Sequence, residues 1–139
     1  MINVQVIDKI DRIDFSLFDA DIKPFFCTDE VQAFNEVEEM QPSVILLNYD
    51  VLKDQTIDYI RLIINVSPDS KVVVIADELS EEYVLSCLIA GAKGFQELEQ
   101  LDQYVNKLIK VVDKGEVWIT RRMVAILLEN IRNGNIVIR

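Results

Sequence analysis

Val44-Ile45-Leu46-Leu47-Asn48-Tyr49-Asp50, preceded by Pro42-Ser43 and followed by Val51-Leu52-Lys53-Asp54, is the stretch from which the rest of the chain is read. It is a short apolar run, rich in β-branched and leucine side chains and without polar alternation. That is the pattern of a strand buried on both faces, as in a parallel sheet. In open α/β sheets the chemistry sits just beyond the carboxyl ends of such strands. Asn48 and Asp50, at the exit of this strand, therefore mark where a site is expected.

On the N-terminal side, Ile2, Val4, Val6 and Ile7 form a first strand that ends at Asp8-Lys9. Ile10, Ile13 and Leu17 keep a helical period with Phe15 and Phe18 alongside, which predicts a short helix over residues 10–20. Asp21 to Cys27 predicts a second strand, and Pro24, which removes one ladder donor, sends it to a sheet edge. Thr28 or Asp29 then caps a helix with Val31, Phe34, Val37 and Met40 as its inner face; Asp29 and Gln32 have capping-box spacing. On the C-terminal side, Ile57, Ile60 and Ile64 predict a helix over residues 56–66, stopped by Ser67-Pro68. Lys71 to Ala76 is a second fully apolar strand. Ser80 opens a helix with Glu81 and Glu82 at the positive end of its dipole, with Val84, Cys87 and Leu88 along it and Gly91 at its end. Gly94-Phe95-Gln96 is a very short last strand. Leu101, Tyr104, Val105, Leu108, Val111 and Val112 give an amphipathic helix ended at Gly115. After a link over 115–119, Thr120 caps a final helix bearing Met123, Val124, Leu127, Leu128 and Ile131.

Strands alternating with helices imply right-handed crossovers and an α/β, doubly wound parallel sheet with helices on both faces. The proline strand belongs at an edge and the most apolar strands inside, which fits five strands in the order 2-1-3-4-5. The first, third and fourth strands then end side by side and gather Asp8-Lys9, Asn48 and Ala76. Residues 1–115 form the domain and 116–139 a link with a C-terminal helix; there is no internal repeat.

A chain of 139 residues, half of them apolar, has material for one real core. No stretch is apolar enough to cross a membrane and no targeting signal opens the chain, so the expected location is the cytoplasm. Cys27 and Cys87 lie in apolar runs without CxxC spacing and read as reduced core residues. The absence of histidine removes the usual general base and the usual metal ligand. No metal, no cofactor and no enzymatic activity are expected. A net charge of −10 argues against a nucleic-acid surface. Residues 116–139 hold four arginines against two glutamates, a net of +2, which leaves −12 on the rest. Such a basic tail suits an acidic domain or simply a solvated helix face.

The chain resembles the receiver domains of bacterial response regulators, most closely the NarL/FixJ/LuxR-type branch. Val4-Gln5-Val6-Ile7-Asp8 is similar to the family's first strand with its acidic end. Pro42 to Asn48 is similar to the D-V-V-L-L-D strand, and Ser67 to Ile75 to the S-P-x-x-x-V-I-V-L run. Ala90-Gly91-Ala92-Lys93-Gly94-Phe95 is similar to A-G-A-x-G-Y/F, and Gly115 to Ile119 to the link after the last helix. The resemblance implies a flavodoxin/CheY-like fold. It also implies a phosphoryl pocket of an acceptor aspartate, an acid pair that holds Mg²⁺, a hydroxyl and a lysine. At those positions this chain has Asn48, Asp8 followed by Lys9, Ala76, and Leu98, and the proline after the acceptor is replaced by Val51-Leu52. The aromatic switch position is kept as Phe95. The segment between Lys9 and Asn48 is several residues shorter than in ordinary receivers, with the loss falling on the first helix, which sensor kinases grip in the family.

An amide cannot form an acyl phosphate, and Lys9 puts a positive charge where the metal would sit. Lys9 either stands in for the metal, paired with Asp8 or Asp50, or points to solvent with Asn48 a satisfied buried amide. The resulting expectation is a phosphorylation-independent receiver that binds protein partners in signalling and forms a homodimer. Its surface would include Tyr104, Met123, Leu127 and Ile131. Two alternatives are phosphorylation at Asp50, which has the same strand parity as Asn48, and a small-ligand sensor at the strand ends. No helix-turn-helix follows; Asn135 to Arg139 is too short to be one.

Overall fold

In the computed structural model, which describes residues 1–9 and 13–134, alternate residues of each inner strand face opposite sides of the sheet. Strands β1 (Ile2–Ile7), β2 (Ile22–Cys27), β3 (Val44–Asn48), β4 (Lys71–Ala76) and β5 (Gly94–Glu97) pair in the order β2-β1-β3-β4-β5, all parallel. Val4, Val6, Val44, Leu46, Val73 and Ile75 face one side. Ile7, Ile45, Leu47, Val72 and Val74 face the other. All five residues of β3 are buried, which is why its run lacks polar alternation. The expected fold class and strand order are those observed.

The helices are α1 (Glu30–Met40), the single turn α2 (Tyr49–Leu52), α3 (Thr56–Val66), α4 (Glu81–Ala90), α5 (Leu101–Asp113) and α6 (Arg121–Arg132). α5 covers the first face with Leu101, Val105, Leu108, Ile109 and Val112. The opposite face is covered by Ala33 and Val37 of α1, Tyr59, Ile60 and Ile63 of α3, and Cys87 of α4. Each fully buried aliphatic side chain there contributes about 1.5–3 kcal/mol relative to exposure.

The structure corrects the sequence reading in three places. Of the helix expected over residues 10–20, residues 10–12 lie outside the described residues. The described part holds one 3₁₀ turn, Phe15–Leu17, with Asp14 accepting a hydrogen bond from the Ser16 N–H. Polar groups of α5 tie this connector down: Asn106 Nδ2 donates to the Leu17 carbonyl (2.9 Å), its Oδ1 accepts from the Asp19 N–H (2.8 Å), and Lys110 Nζ reaches Asp19 (2.9 Å). The backbone is thus bound to α5 rather than to itself. Second, the inner face of α1 is Ala33 and Val37 with Phe34 beside them, and Val31 is exposed. Asp29 caps that helix through the Val31 N–H, while Gln32 bonds Glu36 rather than closing a capping box. Third, β3 ends at Asn48, because Asn48 caps the turn that begins at Tyr49. Asp50 therefore lies in a helical turn and does not continue the strand's parity. The C-terminal reading over 135–139 lies outside the described residues.

Candidate functional site

The carboxyl ends of β1, β3 and β4 meet as expected. Asn48 is 1% exposed and Asp8 6% exposed. Asn48 Nδ2 donates to Asp8 Oδ1 at 2.9 Å, and Asn48 Oδ1 accepts from the Asp50 N–H at 3.0 Å. One carboxamide thus joins the end of β1 to the first turn of α2. β3 pairs with β4 up to Asn48 opposite Ile75, so Ala76 follows directly at the same end. Ala76 in turn pairs with Glu97, the residue before Leu98. Leu98 lines an open cavity of ≈530 Å³ with Leu17, Leu101 and four acids, Asp14, Asp77, Glu99 and Asp102. Lys9 is exposed, and among the described residues the ion pairs found do not join it to Asp8 or Asp50. The neutral Asn48 amide reaches Asp8 from inside the fold.

These residues do not suit Mg²⁺. One Asp8 oxygen already accepts from Asn48, and the Asn48 carbonyl oxygen is committed to a backbone N–H. Hard divalent cations need several free oxygen ligands. Among the described residues no group of three or more His, Cys, Asp or Glu side chains is gathered around a possible metal position.

Beyond Asn48 the chain is held by two tyrosines. The Tyr49 and Tyr83 rings meet edge-on at 5.3 Å. Tyr83 O–H donates to the Lys53 carbonyl at 3.1 Å, and Tyr49 O–H donates to Asp54 at 3.2 Å. Burial pushes the Tyr83 hydroxyl up to about 12, so it remains a donor at neutral pH. Lys53 itself has φ +49°, a region that L side chains rarely occupy and that costs about 1–3 kcal/mol. Neither tyrosine carries a sequence signal for this clamp, since both sit at ordinary helix positions.

Phe95 on β5 is half-buried against the α3–α4 side of the core. Tyr104 is 38% exposed and stacks at a tilt on Trp118, centroids 6.1 Å apart. With Phe95, Gln96, Val117 and Ile119 they line a groove of ≈470 Å³. The link prolongs the sheet here: Trp118 N–H donates to the Lys93 carbonyl (2.8 Å) and Phe95 N–H to the Trp118 carbonyl (3.0 Å). Trp118 Nε1 also donates to Gln96 Oε1 (3.0 Å). A lone tryptophan two residues before a capping threonine was the signal for this anchor, and the reading of 115–119 as a plain link missed it. Of the final helix, Met123 is 7% exposed and turned onto the domain, while Leu127 and Ile131 are half-buried. α6 rests on α4, and Arg122 Nε reaches both Glu81 carboxylate oxygens at 2.8 and 2.9 Å.

No protein-family model matches the chain. It is 30% identical over 104 residues to the transcriptional regulatory protein DegU of Brevibacillus brevis, covering 75% of this chain and 44% of that protein. It is 24% identical over 107 residues to the oxygen regulatory protein NreC of Staphylococcus carnosus, covering 76% and 49%. The chain thus spans about half the length of the curated relatives it matches. The isolated REC domain of RcsB from Salmonella enterica has the same fold, with a TM-score of 0.80 at 17% identity over 93% of this chain and 99% of that one. So has the receiver domain of the response regulator NarL from Mycobacterium tuberculosis, with a TM-score of 0.70 at 18% identity over 83% and 98%. The strand order is that of the CheY-like receiver fold, and the sequence is similar to response regulators of the NarL/LuxR/DegU type.

Proposed function

We propose that the chain is a receiver that signals by binding proteins and does not depend on phosphorylation. The observation that carries this reading is the Asn48 carboxamide, locked between Asp8 and the Asp50 N–H where the family resemblance places the acceptor aspartate. An amide nitrogen is a poor nucleophile and forms no acyl phosphate. Ala76 and Leu98 supply neither the hydroxyl nor the ammonium group that would hold phosphoryl oxygens. The reading assigns the chain no catalysis of its own and no cofactor. It makes the chain a cytoplasmic, self-associating module that meets its partners through the β5–α5–link groove and α6. No described helix is long and apolar enough to cross a membrane.

The test is incubation of the full chain with acetyl phosphate and Mg²⁺, followed by intact-mass measurement. No phosphoryl adduct is expected. An adduct lost in Asp50→Asn would replace this reading with phosphorylation at Asp50.

A further inference from the structure

α1 and α3 lie side by side on one face of the sheet and are tied together at both ends. At their starts, Tyr59 O–H donates to the Glu30 carbonyl at 2.6 Å, and the Phe34 and Tyr59 rings meet edge-on at 6.4 Å. At their ends, Gln41 Nε2 donates to the Val66 carbonyl at 3.0 Å and Ser67 Oγ to Gln41 Oε1 at 3.1 Å. The two helices therefore run parallel and hold a fixed furrow between them. Beside it, Leu52, Gln55, Asp58, Tyr59 and Leu62 line an open cavity of ≈230 Å³. Positions four and seven apart share a helix face. Val31, Asn35 and Glu38 make such an outward row on α1, and Asp58, Leu62 and Asn65 make one on α3; all six are exposed. Val31 at 64% and Leu62 at 54% give each row one apolar side chain that the fold leaves uncovered.

Shape and charge select the occupant. A furrow between two parallel helices takes a third helix, whose side chains seat between the two rows. α1 carries Glu30, Glu36, Glu38 and Glu39 and no basic residue, and α3 adds Asp58. Arg61 on α3 reaches Asp58 at 3.3 Å, but as a surface pair it holds that carboxylate weakly. The same face of a second copy is repelled, because carboxylates would meet carboxylates. We propose that the α1–α3 face docks an amphipathic helix of another protein. Its leucine-type side chains seat on Val31 and Leu62, and its Lys or Arg side chains meet the acids of α1 and α3. Both ends of the platform are already bonded, so little ordering entropy is lost on this side. The apolar contact falls short of the roughly 800 Å² per partner of a standard interface, and the Kd is on the order of 10⁻⁵ M. The inference extends the reading of the chain as a protein-binding module to a separate surface, and the docking itself does not depend on phosphate chemistry.

The test is fluorescence anisotropy of a labelled Leu–Lys peptide of about 15 residues with helical apolar spacing, titrated with the full chain to about 500 µM. One control peptide scrambles the order, which keeps the charge and removes the apolar face; the other replaces Lys by Glu. The Leu–Lys peptide is expected to bind about tenfold more tightly than either control and to weaken in about 0.5 M salt. Val31→Ser with Leu62→Ser, both at exposed positions, is expected to weaken it about tenfold, whereas Val124→Ser with Leu128→Ser on α6 changes it by less than about twofold. Hydrogen exchange of the wild-type complex, which needs no variant, is expected to slow in residues 30–40 and 56–66. Absence of binding overturns the proposal. So does equal binding of the scrambled peptide, binding that the Val31–Leu62 double variant leaves unchanged, or protection confined to another face. A phosphoryl adduct in the mass measurement would remove the functional reading and leave the peptide result untouched, and a peptide that fails to dock leaves that reading in place.

Discussion

Asn48 has both ends of its amide committed, one to a carboxylate and one to a backbone N–H, at 1% exposure. Asn48→Ala leaves a buried oxygen of Asp8 and the Asp50 N–H without that partner, and removes a helix cap. A loss of about 2–3 kcal/mol in urea-unfolding free energy is expected. Asn48→Asp keeps the shape but sets a second carboxylate against Asp8. One of the pair then ionises only above its ordinary range, so the variant is expected to be near wild-type stability at low pH and to lose stability as pH rises above about 5. A pH series of melting temperatures checks this. Cys87 gives the alkaline counterpart. Burial raises its thiol from 9.0 to about 11. The folded state holds this proton more tightly than the unfolded chain, so the stabilisation is complete below pH 9 and lost as pH rises towards 11. About 2–3 kcal/mol is expected to disappear over that window. Cys87→Ala should remove its part of the slope and leave the parts from Cys27 and from Tyr49, Tyr59 and Tyr83, whose protonated forms burial also favours. The position of Asn48 was legible in Val44-Ile45-Leu46-Leu47, since uninterrupted apolar residues can only run between two covered faces. The fate of Asp50 was not. Tyr49-Asp50-Val51-Leu52 holds no glycine or proline to announce a turn, and the cap depends on a side-chain contact that spacing does not reveal.

Among the elements, the strands and long helices were the readable part, because each buries a continuous face whose period shows in the sequence. Residues 13–20 were not. The apolar spacing of Ile13 and Leu17 is helical, and both do face the core, but Asn106 and Lys110 lie more than eighty residues away and claim the connector's polar groups. The final helix was read correctly as amphipathic, while what covers it depended on the link. Gly94 decides that. A Cβ there would lie 2.5 Å from the Trp118 carbonyl oxygen and 2.8 Å from its Cβ, neither of which belongs to a flexible side-chain end. Gly94→Val is therefore expected to push the link off β5 at a cost of about 1–3 kcal/mol. The emission of the chain's single tryptophan should shift to the red, and trypsin should cut faster at Arg121 and Arg122. Unchanged emission together with unchanged cleavage would show that the link does not need this approach.

For the molecule as a whole, the fold is that of a receiver, with Asn48, Ala76 and Leu98 at or just past its strand ends. Restoring two positions is not expected to restore the reaction. Lys9→Asp with Asn48→Asp would recreate acids on β1 and β3, yet Ala76 and Leu98 still give the phosphoryl oxygens no donors, each typically worth about 1 kcal/mol or more. Intact-mass measurement with acetyl phosphate and Mg²⁺ should show no stable stoichiometric adduct. Stoichiometric phosphate on the double variant would show those two positions to be dispensable. The wider charge pattern, an acidic body with a basic last helix, was visible in the residue counts, but its consequence depended on which helix α6 rests upon. The two margins of the sheet also act together. β2 carries Pro24, which has no N–H to offer a neighbouring strand, and β5 is closed by the backbone of Trp118. Neither margin presents a full ladder of open donors and acceptors to another chain. At the crowding of a living cell neither margin offers neighbouring chains a template for fibrils, so resistance to aggregation is built into the edges of the sheet.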